Sequence, residues 1–261
     1  MIPLRSVVVT RYVTPLREGG SVPAIVEADD EGMYVLKFRG AGQGPKALIA
    51  ELVAGEIGRA AGLPVPEIVL IELDPDLART EPDPEIQDLI KASAGLNVAL
   101  DYLPGAVMFD PVAQAVDAQL ASAVVWFDAF VSNVDRTARN TNMLMWHRQL
   151  HLIDHGAALY FHHSWENYLE RSRDPFARVK DHVLLPFAGA LAEAHRRMLE
   201  RITPEVIRSI VAAIPDSWLA GDTAFAQPSQ YRDAYNEYLL RRLQPPHAFV
   251  EEAIRARALL V

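Results

Sequence analysis

Three polar residues near the middle of the chain have the types and spacing that phosphoryl transfer requires. Asp135 and Asn140 lie five residues apart in a segment typical of a loop, and Asp154 ends a short apolar strand two residues before Gly156. Such chemistry needs a carboxylate to accept the proton of a hydroxyl and oxygen ligands to hold Mg²⁺ on nucleotide phosphates. We interpret Asp135 as the base and Asn140 and Asp154 as the metal ligands.

Other interpretations of this loop stay open. An Asp and an Asn in one loop are common in turns, so the prediction depends on Asp154 and Gly156 following an intervening hairpin. Asn142 is an alternative metal ligand if the loop has a different register. Arg136 is expected to pair with a nearby carboxylate rather than with a substrate.

A lysine and a glutamate in the first half of the chain match the other part of a phosphate site. Lys37 ends a run of alternating residues that predicts a strand, and Glu51 follows on a predicted helix. A lysine that contacts the α- and β-phosphates and is held by a helix glutamate completes the arrangement. Glu56 is the alternative, but five residues turn a helix by about 500°, so both cannot face one cleft.

A glycine-rich turn precedes Lys37. Gly19, Gly20 and Ser21 join two predicted strands, and backbone N–H groups of such a turn can approach phosphate oxygens closely. The segment 40–44, with three glycines before a helix, is the competing phosphate-binding candidate.

The elements that position these residues divide the chain into two parts. The first part is strand-rich with one helix over 45–61 and a surface loop over 74–84, and the second is mainly helical. Strands are predicted over 6–10, 23–27, 33–38, 63–73, 96–103, 143–146 and 150–153; helices are predicted over 112–132, 187–201, 204–213, 231–242 and 247–259. We predict an α+β protein with a first lobe over 1–103, built on an antiparallel sheet, and a helical second lobe over 104–261.

Composition excludes several classes of function. A net charge of −9 without clustered Lys or Arg disfavours nucleic-acid binding, and the absence of cysteine excludes disulfides, thiolate metal sites and a Cys nucleophile. The apolar run 120–131 contains Asp128 and is too short for a membrane span, and no signal peptide is visible at the N-terminus. We expect a soluble cytoplasmic protein.

Clustered histidines raise the alternative of a metal hydrolase. His147, His151 and His155 recur at four-residue intervals, and His162 and His163 follow. The alternation around Leu150 and Leu152 favours a strand, which would separate these side chains, and no His-Glu-x-x-His motif is present.

Together, these residues resemble the HipA-like kinases and, more distantly, the phosphoinositide kinases. The segment 133–140 is similar to their Asn/Gly-x-Asp-Arg-His-x-x-Asn loop, and 152–156 is similar to their Asp-x-Gly strand end. The similarity covers roughly residues 15–160 and in the first lobe is carried by Gly20, Ser21, Pro23, the run 34–38, Gln43, Gly44, Glu51 and the run 62–66.

The resemblance implies a kinase-like fold, ATP with Mg²⁺, and transfer to a hydroxyl. Lys37 would bind phosphates, Asp135 would be the base, and Asn140 and Asp154 would carry the metal. The backbone of the segment that crosses between lobes would hold adenine, through Leu100, Asp101, Tyr102 and Leu103.

The sequence departs from the family pattern at Thr137, where the family has His, and at His155, where kinases have Phe. We expect the protein to lack the N-terminal subdomain of full-length HipA toxins, so an antitoxin partner is not implied.

We therefore predict an ATP- and Mg²⁺-dependent phosphotransferase acting on a protein Ser or Thr. The alternatives are a nucleotide-binding pseudokinase that serves as an interaction module, or a kinase of small molecules or lipids. No motif in residues 157–185 identifies the acceptor.

Overall fold

The computed structural model describes residues 4–16 and 22–260. The strands are β1 (Ser6–Pro15), β2 (Ala24–Ala28), β3 (Met33–Lys37), β4 (Ile68–Leu73), β5 (Gly95–Asp101), β6 (Val107–Met108), β7 (Met143–Trp146) and β8 (Gln149–Leu152). The helices are α1 (Pro45–Ala60), α2 (Pro84–Ala92), α3 (Ala118–Val131), α4 (Tyr168–Arg171), α5 (Leu191–Arg201), α6 (Pro204–Val211), α7 (Asp216–Leu219), α8 (Pro228–Arg242) and α9 (Ala248–Ala258). Short 3₁₀ helices cover Pro75–Thr80, Tyr160–His163, Ala177–Asp181 and Leu185–Phe187.

The first five strands form a closed barrel in the order β1-β2-β3-β5-β4. Four of the five pairings are antiparallel, but β1 runs parallel to β4, with Ser6 opposite Leu70 and Val8 opposite Glu72. The predicted antiparallel sheet is therefore wrong at this pairing. The reason is that β1 is twice as long as predicted and bends at register shifts after Val9 and Tyr12, so that it pairs with β2 and β4 and closes the sheet.

The region after β4 contains helices where a loop was predicted, so the prediction of a single helix in the first lobe is also wrong. The side chain of Asp74 caps the 3₁₀ helix Pro75–Thr80, and the side chain of Asp83 caps α2. Each cap is followed by a proline at the first helical position, and Ile86 and Ile90 of α2 are buried. The Asp-Pro pairs that suggested a loop are thus helix starts.

The helical part is organised around α3, of which eleven residues are buried. Asp117 caps this helix by accepting hydrogen bonds from the N–H groups of Gln119 and Leu120, so α3 begins six residues later than predicted. The strands of the small sheet β6-β7-β8 come before and after α3 in the sequence, and the sheet includes the predicted hairpin of β7 and β8. Among the described residues, no helix combines the length and apolar content needed to cross a bilayer.

The core shows how the barrel is joined to the helices. The barrel interior has its own apolar cluster, whereas the buried face of α1, including Leu48 and Leu52, belongs to one continuous cluster with α3 and the C-terminal helices. Helix α1 also packs against α6 and α7. A side chain on α1 that faces the barrel is consequently held in place by the core of the helical part. The division of the chain into two lobes at residue 103 stays a prediction.

Candidate active site

The ammonium of Lys37 lies between two carboxylates from separate parts of the chain. Its Nζ is 2.9 Å from Oδ1 of Asp154 and 4.0 Å from Oε2 of Glu51. The Lys37 side chain is 12% exposed. Burial disfavours the charged ammonium, but the two carboxylates outweigh it and raise the pKa of Lys37. Strand β3, helix α1 and the second residue after β8 are thereby joined at one charged group.

Glu51 is held to the residue after Asp154 by both of its carboxylate oxygens. The backbone N–H of His155 donates to Oε2 at 3.0 Å, and Nδ1 of the His155 ring lies 3.2 Å from Oε1. Burial raises the pKa of Glu51, but Lys37 and His155 more than offset this and lower it to about 2. Glu51 therefore carries its negative charge inside the protein, opposite Lys37.

The second glutamate on α1 lies in a different environment. Glu56 is buried and pairs with Arg59 at 3.1 Å, and burial raises the pKa of its carboxyl. The helical geometry that allowed only one glutamate beside the cleft thus places Glu51, and not Glu56, beside Lys37.

Asp135 receives hydrogen bonds from two asparagine amides. Nδ2 of Asn140 donates to Oδ2 of Asp135 at 2.7 Å, and Nδ2 of Asn142 donates to the same oxygen at 3.2 Å. Because the amide nitrogens face Asp135, the amide oxygens Oδ1 are left for another partner, and neither bonds to a described residue. Both asparagines, the predicted ligand Asn140 and its alternative Asn142, therefore suit a hard cation.

The loop of Asp135 meets the strand end of Asp154 at Asn142. The backbone N–H of Ile153 donates to the carbonyl of Asn142 at 3.0 Å, while the side chain of Asn142 reaches Asp135. Asn142 and Asp154 both have left-handed backbone conformations, with φ of 48° and 56°. Such conformations cost a non-glycine residue about 1–2 kcal/mol, and strained residues of this kind cluster at functional sites.

A second charged cluster, composed of Asp128, Arg136 and His182, lies under the loop. Nε of Arg136 is 2.6 Å from Oδ2 of Asp128, which also lies 2.9 Å from Nε2 of His182. Burial raises the pKa of Asp128, but Arg136 and His182 outweigh it and lower the value to about 2. The prediction that Arg136 pairs with a carboxylate is confirmed.

Sequence reasoning missed the roles of Asp128 and His182. Asp128 was used only as an interruption of an apolar run, although an isolated carboxylate in a buried helix requires a partner and so was the available signal. His182 forms a β-bridge with Thr137, at the position where the family's histidine is absent. Its position beside the loop depends on the fold and could not be read from spacing.

The predicted adenine-binding segment has fewer free backbone donors than expected. The N–H of Asp101 donates to the carbonyl of Glu67 at 2.8 Å, and the N–H of Tyr102 donates to the carbonyl of Met33 at 3.0 Å. Leu100 lies in β5, opposite Val35 of β3 and Ile68 of β4. The N–H of Leu103 has no such bond to a described residue, and the role of the segment in adenine binding stays a prediction.

Only the second of the two glycine-rich candidates falls within the described residues. Gly19, Gly20 and Ser21 lie outside the described residues. In the competing segment 40–44, Gly44 has a φ of 64° and forms the N-cap of α1 without any side-chain cap. The choice between the two segments stays a prediction.

The histidines do not form a metal site in the parts of the chain that the structure covers, where no three His, Cys, Asp or Glu side chains are grouped to hold an ion. His147 occupies an exposed turn after β7, His151 lies on β8, and His155 is buried against Glu51. The strand prediction that separated these residues is confirmed.

Comparison with known proteins identifies the family and the fold. A family model described as HipA-like kinase matches residues 9–251. The crystal structure of the Helicobacter pylori proinflammatory kinase CtkA is similar in fold, with a TM-score of 0.62 and 13% identity, over 99% of this chain and 100% of that chain. The Golgi casein kinase with Mn/ADP bound gives a TM-score of 0.48 and 11% identity, over 96% of this chain and 73% of that chain. No curated protein matches the sequence.

Proposed function

Because this chain belongs to the HipA-like kinase family, we propose that it is an ATP- and Mg²⁺-dependent kinase that phosphorylates Ser or Thr hydroxyls of a protein. The observation that carries the proposal is the contact of Lys37 with both Glu51 and Asp154, next to the amide-oriented carboxylate of Asp135. An ammonium fixed in this way supports binding of the α- and β-phosphates of ATP.

The oxygen atoms around Asp154 fit Mg²⁺. Asp154 is 38% exposed, and its Oδ2 bonds to no described residue. It would hold the ion together with the amide oxygen of Asn140 or Asn142, all hard oxygen ligands. When bound, Mg²⁺ supplies positive charge that stabilises the phosphate oxygens.

Asp135 is the proposed base. The acceptor oxygen forms a bond to the γ-phosphorus, the bond to the ADP oxygen breaks, and the hydroxyl proton passes to Asp135. The amides of Asn140 and Asn142 position this carboxylate by donating to one of its oxygens, which leaves the other oxygen for the hydroxyl.

Asp154→Asn tests the proposal. We expect phosphate transfer from Mg·ATP to fall by at least about 10³-fold, because a ligand charge opposite the phosphates is removed. The measurement is γ-phosphate transfer to a Ser/Thr-centred peptide library, followed by mass spectrometry of the protein itself, with thermal unfolding as the check on folding.

The matched control is Asp88→Asn, which makes the same change at a side chain that is 82% exposed on α2. Unchanged turnover in Asp154→Asn would remove the assignment. Calorimetric titration with Mg·ATP separates a loss of chemistry from a loss of binding.

A further inference from the structure

A cavity of about 330 Å³ lies next to the loop of Asp135. We call it the side cavity and define it by the residues that line it: Ser132, Val134, Tyr160, Phe161, Arg171, Asp174, Pro175, Phe176, Ala177, Arg178, Tyr238 and Arg242. Val134 directly precedes the proposed base, and Tyr160 follows Asp154 by six residues. The two chain segments that carry the reacting groups thus also form a wall of this cavity.

Another wall is formed by the segment 171–178, which is anchored near its start and, five residues past its end, at Val183. At one end, Nη1 of Arg242 donates to the carbonyls of Ser172 and Asp174, at 3.0 and 3.2 Å. At the other, the N–H of Val183 donates to the carbonyl of Arg136 at 3.2 Å, beside the His182 contact with Asp128. The cavity is therefore preformed and fixed relative to Asp135.

This wall is cationic in a protein of net charge −9. Residues 170–180 contain four cationic and two acidic side chains. The cationic ones form no ion pair with any described residue: Arg171, Arg173, Arg178 and Lys180. Asp174 is the one carboxylate among the described residues that line the cavity, against three guanidinium groups.

The three guanidinium groups are not equivalent. Arg242 is buried and satisfied by backbone carbonyls, including those of Ala129 and Phe130 at the end of α3, so its role is structural. Nε of Arg171 is buried without a partner among the described residues, and Arg178 is exposed. Arg171 donates from Nη2 to the carbonyls of Phe161 and Ser164 and so also supports the cavity wall. The charge available to a ligand consequently comes from Arg178.

The remaining surface of the cavity is apolar or aromatic. Val134, Phe161 and Phe176 line it, and Tyr160 is 56% exposed at its edge. An exposed aromatic ring over a preformed apolar cavity is typical of a binding site rather than of a protein surface facing solvent alone.

We propose that the side cavity receives the protein acceptor, as a segment in which a bulky apolar side chain and at least one carboxylate flank the phosphorylated Ser or Thr. This inference rests on the proposed kinase function. The apolar side chain would fill the cavity, and the carboxylate would pair with Arg178 at its rim. A peptide is favoured over a small molecule because Arg173 and Lys180, both exposed, add positive charge to the same stretch of chain as Arg178.

The test compares wild type, Arg178→Glu and Arg196→Glu. Arg196 is an exposed arginine on α5, without an ion pair to a described residue, so it is the matched control for charge reversal. Each protein is assayed with Ser-centred peptides in which the flanking positions are Glu with Phe, Lys with Phe, or Glu with Ala. Intrinsic ATP hydrolysis and Mg·ATP binding are measured in parallel.

For the wild type we expect the lowest KM with the peptide that contains both Glu and Phe. Arg178→Glu should raise that KM by about 10-fold without changing kcat or ATP hydrolysis, and should lower the KM of the Lys peptide. Arg196→Glu should match the wild type.

Equal use of the Glu and Lys peptides by the wild type, or no response to Arg178→Glu, would overturn the inference. ATP hydrolysis without transfer to any peptide would overturn it while leaving the kinase function standing. Absence of both Mg·ATP binding and hydrolysis would refute the kinase function itself.

Discussion

Two charged clusters lie close together in this protein and differ in how much water reaches them. The cleft cluster joins Lys37, Glu51 and Asp154, and the buried cluster joins Asp128 and Arg136 with His182. Each contains a carboxyl whose pKa is lowered to about 2. Asp154 is nevertheless 38% exposed, whereas the side chains of Asp128 and Arg136 are fully buried.

The two clusters also differ in the contacts that their side chains make. In the buried cluster, Asp128 accepts from Asn133, Arg136 and His182, and Arg136 donates to the carbonyl of Asn142, so the cluster holds the loop of Asp135. In the cleft cluster, Asp154 keeps one oxygen without a partner among the described residues. Similar charges therefore stabilise the fold in one place and are left available to a ligand in the other.

Removing the buried carboxylate should give the larger effect on folding. We expect Asp128→Ala to lower the free energy of unfolding by about 3–5 kcal/mol, because Arg136 would be left as a buried, unpaired charge. Urea unfolding followed by circular dichroism measures this. A loss below about 1 kcal/mol would show that the buried cluster does not support the loop.

Removing the cation of the cleft cluster should affect chemistry instead. We expect Lys37→Met to lower phosphate transfer by about 100-fold, since one preorganised donor to the phosphates is lost. Unfolding free energy should change less than in Asp128→Ala, because Asp154 can turn to water and the buried Glu51 keeps its two contacts with His155. Steady-state kinetics and urea unfolding of the same preparation give both numbers, and a stability loss as large as that of Asp128→Ala would erase the distinction between the clusters.

Acid should act on the buried cluster over a defined pH range. The carboxyl of Asp128 has an ordinary pKa of 3.8 and a folded value of about 2, so its stabilisation is complete above pH 4 and is lost as pH falls toward 2. The stability difference between wild type and Asp128→Asn should therefore shrink by about 2 kcal/mol over that range. A difference that stays constant for Asp128→Asn would contradict the assignment.

Local pattern predicted much of the molecule. The strands around Lys37 and Asp154, the helix that carries Glu51, and membership in the HipA-like kinase family are confirmed. These features depend on alternation, helix caps and short motifs, all of which act over a few residues. The region 74–84 was mispredicted because Asp and Pro favour both turns and helix starts, and burial of Ile86 and Ile90 in the following helix decides between them.

The amino-acid sequence by itself determined which side chains are candidates for binding a nucleotide and a cation, because residue type and near-neighbour spacing are sufficient to select them. Tertiary structure alone decided that β1 closes the barrel, that His182 lies beside Asp128, and that cations of 171–178 lie next to Val134. The physical reason is that these contacts join residues far apart in the chain. Their partners are selected by packing of the whole core and leave no periodic pattern in the sequence.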